Sequence, residues 1–233
     1  MIRTRLKPSC PSGWFFCYLR SLSCGHYVKL KERLAKDMKV NQLNKMERFQ
    51  SYIHSLIDLS EEAWKALSPA LTAVEYKKGD CLLQESQSCN NLFFISTGYC
   101  RAFYRKGDQE INTNFFFESE IATNINSFWS GEKSEFSIQA CEDITTIVFD
   151  KPKLLVAGQE NHEIATLGRV CANQMAAKLE NHTSLFKLMT AQERYEYLEE
   201  HHPMMLQRVP LNQLSSYLGI ARETLSRIRG RRS

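Results

Sequence analysis

The sequence has no apolar run approaching the roughly 20 residues of a membrane-spanning helix, and the stretch Trp14–Leu19 is too short for the apolar region of a secretion signal. No membrane partner is expected, and a cytoplasmic location follows as the expectation. It also lacks a phosphate loop, a spaced His and Glu set among its strand patterns, and any nucleophile–base arrangement. These absences argue against an enzyme built on its β-structure and leave no cofactor or metal to expect. The adjacent pair His201 and His202 does not supply a metal site, because neighbouring side chains diverge on a helix and no third ligand is spaced nearby. The eight cysteines (10, 17, 24, 81, 89, 100, 141 and 171) are scattered through a chain too large to need disulfide staples, and read as reduced thiols.

The charge is uneven. The net charge is +4, but residues 1–37 hold eight Lys or Arg against two acids, which leaves the remainder at about −2. A general polyanion binder is not indicated. Residues 1–45 mix aromatic, basic and cysteine residues without a sustained period, so they are read as a leader outside any domain, disordered or preceding the true start.

From residue 46 the pattern becomes regular. Phe49, Tyr52, Ile53, Leu56 and Ile57 recur at helical spacing, and a second short helix to Leu67 is capped by Ser60 and ended by Pro69. Short strand patterns follow at Ala73–Tyr76, Leu82–Leu83, Leu92–Ile95 and Cys100–Tyr104, punctuated by KKGD, STG and RKGD. Further strands are expected at Phe115–Phe117, Phe136–Ile138 and Thr145–Phe149. Glycines 79, 98 and 107 permit the tight turns of an antiparallel β-roll or jelly roll. The run Phe115–Phe117 suits either a binding platform or, as continuous apolar runs between turns usually do, strands buried in the roll.

Over residues 161–189, Ile164, Leu167, Val170, Cys171, Met175, Leu179, His182 and Leu185 recur at three- and four-residue intervals, which predicts one long amphipathic helix. Its stripe is too long for a small roll to cover. A dimer seam through Ile164, Leu167, Cys171, Met175 and Leu179 is the expected solution, with packing inside one chain as the alternative.

The last stretch, RVPLNQLSSYLGIARETLSRIRG at 208–230, reads as two short helices broken at Gly219. Leu214, Leu218, Ile220, Leu225 and Ile228 form its buried seam. The second helix then leaves Arg222, Glu223, Ser226 and Arg227 outward, with Thr224 short enough for a phosphate oxygen and Asn212 joining from the first helix. Arginine forks onto guanine and glutamate accepts from cytosine, so these residue types at helical spacing suit major-groove reading. Five arginines stand against one glutamate in residues 221–233.

The succession of a β-roll carrying KKGD and LFFISTGYCRAFY, a long helix and the RETLSRI helix-turn-helix resembles the cyclic-AMP receptor and fumarate-nitrate regulator (Crp/Fnr) family of bacterial transcription factors over residues 46–232. The resemblance implies an α+β fold with a sensor roll at 46–160, a dimerisation helix at 161–189 and a DNA-binding domain at 190–233. Arg222, Glu223, Thr224 and Arg227 match the family's Arg-Glu-Thr-x-x-Arg pattern. It further implies a homodimer on a pseudo-palindromic operator of double-stranded DNA, RNA polymerase as a partner of any activator, and a small-molecule effector of unknown identity.

The effector cassette departs from the family. Where cyclic-nucleotide binders carry Gly-Glu and then Arg-Ser or Arg-Thr, this chain has Thr123 and Asn124, then Ser134 and Glu135. The phosphate arginine is missing, although Lys133 stands next to its place. A carboxylate facing a buried phosphodiester costs on the order of several kcal/mol at an effective dielectric near 20. Cyclic AMP is therefore not the expected ligand. The alternatives are a small-ligand or interaction module with a vestigial helix-turn-helix, and a redox regulator holding an iron–sulfur centre on Cys10, Cys17 and Cys24, against which the six-residue gaps argue.

Overall fold

A computed structural model of the protein describes residues 46–230. The leader, and the iron–sulfur alternative on Cys10, Cys17 and Cys24, lie outside the described residues. Helix α1 (residues 46–56) turns Phe49 and Ile53 fully inward. Helix α2 (Glu61–Leu67) begins where the Ser60 hydroxyl accepts the Ala63 N–H, and passes through a 3₁₀ turn at Ser68–Ala70, where Pro69 ends it.

Eight strands follow: β1 (Leu71–Tyr76), β2 (Cys81–Leu83), β3 (Asn91–Thr97), β4 (Cys100–Lys106), β5 (Gln109–Phe116), β6 (Ile121–Ala122), β7 (Ser137–Ala140) and β8 (Ile144–Asp150). They form two antiparallel four-stranded sheets, ordered β1-β8-β3-β6 and β2-β7-β4-β5. This is the expected roll. Glycines 79, 98 and 107 all take positive φ at its turns.

Two-residue alternation divides the roll's apolar side chains. Phe93 and Ile95 point between the sheets, with Leu83, Cys100, Ala102, Ile138 and Ile144. Phe94 points the other way, joining Ile147 and Phe149 under a helical cover that includes Phe49, Ile53 and Leu67. Helix α3 (Ile125–Ser130) lies between β6 and β7, and α4 (Lys151–Glu160) follows β8, with the Asp150 carboxylate capping it and Pro152 in its first turn.

The long helix α5 runs His162–Leu188, capped by Asn161. Its Glu163 carboxylate accepts the Ser60 N–H at 2.7 Å, pinning it to α2. Four short helices complete the described residues: α6 (Ala191–His201), α7 (Pro203–Arg208), α8 (Leu211–Leu218) and α9 (Arg222–Gly230). Thr190 and Glu193 close a reciprocal capping box at the start of α6.

The expectation for the aromatic run is corrected. The strand begins at Gln109 and ends at Phe116, and only Phe116 faces the roll's interior. Phe115 and Tyr99 stand on the outer face of the second sheet and are buried in a third core with Tyr195, Leu198, Met205, Val209, Leu214, Tyr217, Leu218 and Leu225; Phe117 packs against it. The run is thus roll strand through Phe116, which packs on the roll's interior, and its other two rings turn outward. Phe115 and Phe117 form part of the surface on which the C-terminal helices sit.

Gly98 is the tightest turn. At φ 82°, a Cβ there meets Ile144 Cγ2 at 2.7 Å and the Asp143 carbonyl at 2.9 Å. Gly98→Ala is expected to lower stability by about 1–3 kcal/mol, through strain and displacement of the β7–β8 turn. A reduced denaturant midpoint with an unchanged slope checks it; an unchanged midpoint refutes it.

Candidate nucleic-acid interface

Gly219 makes the helix-turn-helix geometrically possible. It ends α8 in the left-handed region (φ 68°, ψ 33°), and the Ile220 N–H closes back on the Ser215 carbonyl at 3.1 Å. Leu214, Leu218 and Leu225 are then fully buried where the two helices cross, with Ile220 and Ile228 partly buried beside them. Ser215 is also buried, its hydroxyl donating to the Asn212 carbonyl at 3.0 Å.

With that seam inward, Arg222, Glu223, Ser226 and Arg227 are all exposed on α9, and Asn212 is exposed near the start of α8. Thr224 is half-buried. The Arg227 guanidinium rests back on its own helix, 3.4 Å from both the Glu223 carbonyl and the Thr224 hydroxyl. The structure thus brings together on one open face the side chains that the sequence assigned to base reading.

The cassette behaves differently. Thr123, Asn124 and Ser134 are gathered into one buried cluster, while Lys133 and Glu135 are exposed. The Asn124 carbonyl oxygen caps α3 by accepting the Ser127 N–H at 3.1 Å, and its amide donates to the Ser134 hydroxyl at 2.9 Å. Ser134 donates in turn to the Phe136 carbonyl at 2.7 Å. Ser127 accepts the Cys89 N–H and donates to the Glu132 carbonyl, and Thr123 lies 3.3 Å from the Cys89 sulfur. Where a phosphate arginine is expected from the family, a short hydroxyl is already satisfied by its neighbours. Glu135 faces Tyr104, whose pKa is raised by burial first and by that carboxylate second.

The residues assigned to a dimer seam are divided. Ile164 and Leu167 are buried in the roll's own core, which removes them from any surface a second copy can touch, and Cys171 packs half-buried against the same core. Met175 is half-buried, whereas Leu179 is 63% exposed. Ala176, Leu179, Thr183 and Leu188 lie exposed along the outer face of α5.

The ring of His182, counted in the same stripe, instead packs against Phe186 and Tyr217, with centroids 4.7 Å and 5.7 Å away. Sequence reasoning missed three further features: the capping helix α4, although Asp150-Lys151-Pro152 carries its start signal; the polar cluster around Ser127; and Arg208. That arginine donates to Glu118 at 2.7 Å and 3.1 Å, and also to Glu142. Burial would raise the Glu118 pKa, but hydrogen bonds from Arg208 and the Gly98 N–H bring it below its ordinary value. Among the described residues, no three His, Cys, Asp or Glu are placed to hold a metal ion, and no helix is long and apolar enough to cross a membrane.

Comparison with known proteins agrees with this architecture. Residues 73–161, from β1 to the cap of α5, match the cyclic nucleotide-binding domain family. Among solved structures, FixK2 from Bradyrhizobium japonicum is 20% identical with a TM-score of 0.57, covering 69% of this chain and 83% of its own. The c-di-GMP responsive global regulator CLP from Xanthomonas campestris is 13% identical with a TM-score of 0.59, covering 74% and 91%. A CooA mutant from Carboxydothermus hydrogenoformans is 18% identical at 0.52, covering 74% and 80%. No curated protein sequence matches significantly.

Two measurements follow. Calorimetric titration with cyclic AMP is expected to give no saturable heat; tight, saturable binding contradicts the reading of the cassette. Burial lowers the His182 pKa below its ordinary 6.5, against a backbone contact with Thr113 that raises it. The stability it contributes is full above pH 6.5 and is lost as pH falls through the lowered value. Replacing His182 by Phe is therefore expected to reduce the fall in denaturant midpoint below pH 6.5; an unaltered fall refutes the assignment.

Proposed function

Starting from a chain that carries a cyclic nucleotide-binding domain and has the fold of the Crp/Fnr-type transcriptional regulators, we propose that the protein is a homodimeric, sequence-specific DNA-binding regulator whose roll does not answer to cyclic AMP. The observation that carries this reading is the exposed face of α9. Arg222, Glu223, Ser226 and Arg227 stand together in solvent, although the opposite face of the same helix is fully buried at Leu225. A helix that spent these residues on internal ion pairs would not support it.

In this reading α9 lies in the major groove, with Arg222, Glu223 and Arg227 at base edges and Thr224 and Asn212 at phosphates. Phosphate contacts supply affinity and the two arginines and the glutamate supply selectivity. A second copy is required, because one short helix reads only a half-site, and paired half-sites lie about 34 Å apart on one face of the duplex. Ala176, Leu179 and Thr183, spaced three and four apart and exposed on α5, are the seam we assign to that dimer. They replace Ile164 and Leu167 in that role.

The cassette supports an effector other than a cyclic nucleotide, or none. Its buried polar groups already satisfy one another, so a ligand phosphate entering there must break Asn124–Ser134 and Ser134–Phe136 without gaining an arginine.

Selection from a random DNA pool with the purified protein is expected to return a pseudo-palindrome. On that sequence Arg227→Ala loses about 1–3 kcal/mol and relaxes discrimination at one base pair per half-site. Equal weakening on every sequence reassigns Arg227 to a phosphate, and failure to enrich any sequence overturns the regulator reading.

A further inference from the structure

The C-terminal helices are held on the roll by polar contacts as well as an apolar one: the Ser216 hydroxyl bonds the β5 backbone at Glu110 and Asn112, and the charged contacts gather on one residue, Arg208. Arg208 ends α7, just before the helix-turn-helix. Its two carboxylate partners come from different turns of the roll: Glu118 from the turn between β5 and β6, and Glu142 from the turn between β7 and β8. A third turn joins them, since the Gly98 N–H donates to Glu118 at 2.8 Å. The guanidinium plane lies over Tyr99 and Phe117 at 5.1 Å and 5.4 Å, and those two rings stack on each other at 5.2 Å. The Tyr99 hydroxyl donates to the Arg208 carbonyl at 3.1 Å. Three roll turns and two rings thus converge on one side chain that is 20% exposed.

On the chain side, α5 ends at Met189, whose extended backbone (φ −106°, ψ 141°) separates the long helix from the capping box of α6. An apolar core tolerates sliding and tilting, because it is not directional. A bidentate fork with a stacked face does not, because its geometry is fixed at five donors and one plane.

We propose that Arg208 with Glu118 and Glu142 is a latch that fixes the orientation of the DNA-reading helix relative to the roll, and so sets the spacing of the two helices in a dimer. The proposal rests on the DNA-binding reading above. The turns it grips bracket the cassette: the β5–β6 turn leads into Thr123 and Asn124, and the β7–β8 turn follows the strand that leaves Ser134. The latch therefore stands where a movement of the cassette reaches the helix-turn-helix.

The test compares the full chain with its Arg208→Ala and Glu118→Gln variants on two probes: the selected two-half-site duplex and a duplex with one half-site scrambled. Joining two half-site contacts can gain roughly 10²–10⁴ in affinity, and a loosened unit forfeits part of that gain. Each variant is expected to bind the paired site at least about tenfold more weakly and the single half-site within about twofold of wild type. An equal loss on both probes, no loss on either, or tighter binding to the paired site overturns the latch. If the wild-type chain binds no DNA, the DNA-binding reading fails on its own account, and amide exchange judges the contact. Faster exchange at Gly98 and over 210–219 in both variants supports a latch, and unchanged exchange refutes it.

Discussion

Tyr99, Phe115 and Phe117 stand on the solvent side of a sheet whose other face already closes the roll, and something else must cover them. The C-terminal helices do so. Burying Phe115 alone is worth about 1.5–3 kcal/mol, and it does so against Tyr217 in a T-shaped contact at 5.6 Å. The same core contains Leu214, Leu218 and Leu225, the residues that hold α8 and α9 together. Folding of the helix-turn-helix and its attachment to the roll are thus one packing event, and the exposed face of α9 is what remains when that event is complete. The polar link from the Ser216 hydroxyl to the Glu110 carbonyl and the Asn112 N–H lies along the edge of this contact and fixes its register.

The cassette illustrates the opposite constraint. Buried polar atoms need partners, and here Asn124 supplies both a cap for α3 and a donor to Ser134. An arginine at position 134 would have to bring its counter-ion with it, whereas a serine closes on the Phe136 carbonyl two residues away. With a serine at position 134 the cluster saturates itself internally and leaves no place that calls for an arginine. A helix start that elsewhere in proteins welcomes an anion is closed by its own asparagine side chain.

Much of this was legible in the residues. Turn glycines, caps and two-residue alternation are local signals, and KKGD, Gly98, Ser60 and Thr190 each did what their chemistry requires. The outward set on α9 was legible for the same reason: helical period plus Gly219 determines a face. What could not be read is which surface meets which. Phe115 and Phe116 are identical side chains on opposite faces of one strand, and only the presence of a third core decides that the outward one, Phe115, is buried as well. Arg208, Glu118 and Glu142 are separated by 90 and 66 residues, so no local pattern joins them.

The long helix shows the same limit in angular form. At about 100° per residue, Ile164, Cys171, Met175 and His182 fall on one line, and Ala176, Leu179 and Thr183 lie roughly 60–120° around from it. A period count merges the two into one wide apolar stripe. The structure separates them: the first line faces the roll near its start and Tyr217 near its end, and the second is left to solvent. A helix that braces both the roll and the C-terminal helix pair along one line, and offers a second line outward, couples their positions to whatever lies on its open side. If that occupant is a second copy, the angle at which each roll carries its α9 also sets the distance between the two α9 helices, and small changes at Met189 or at the turns around Gly98 are magnified along 27 residues of rigid helix.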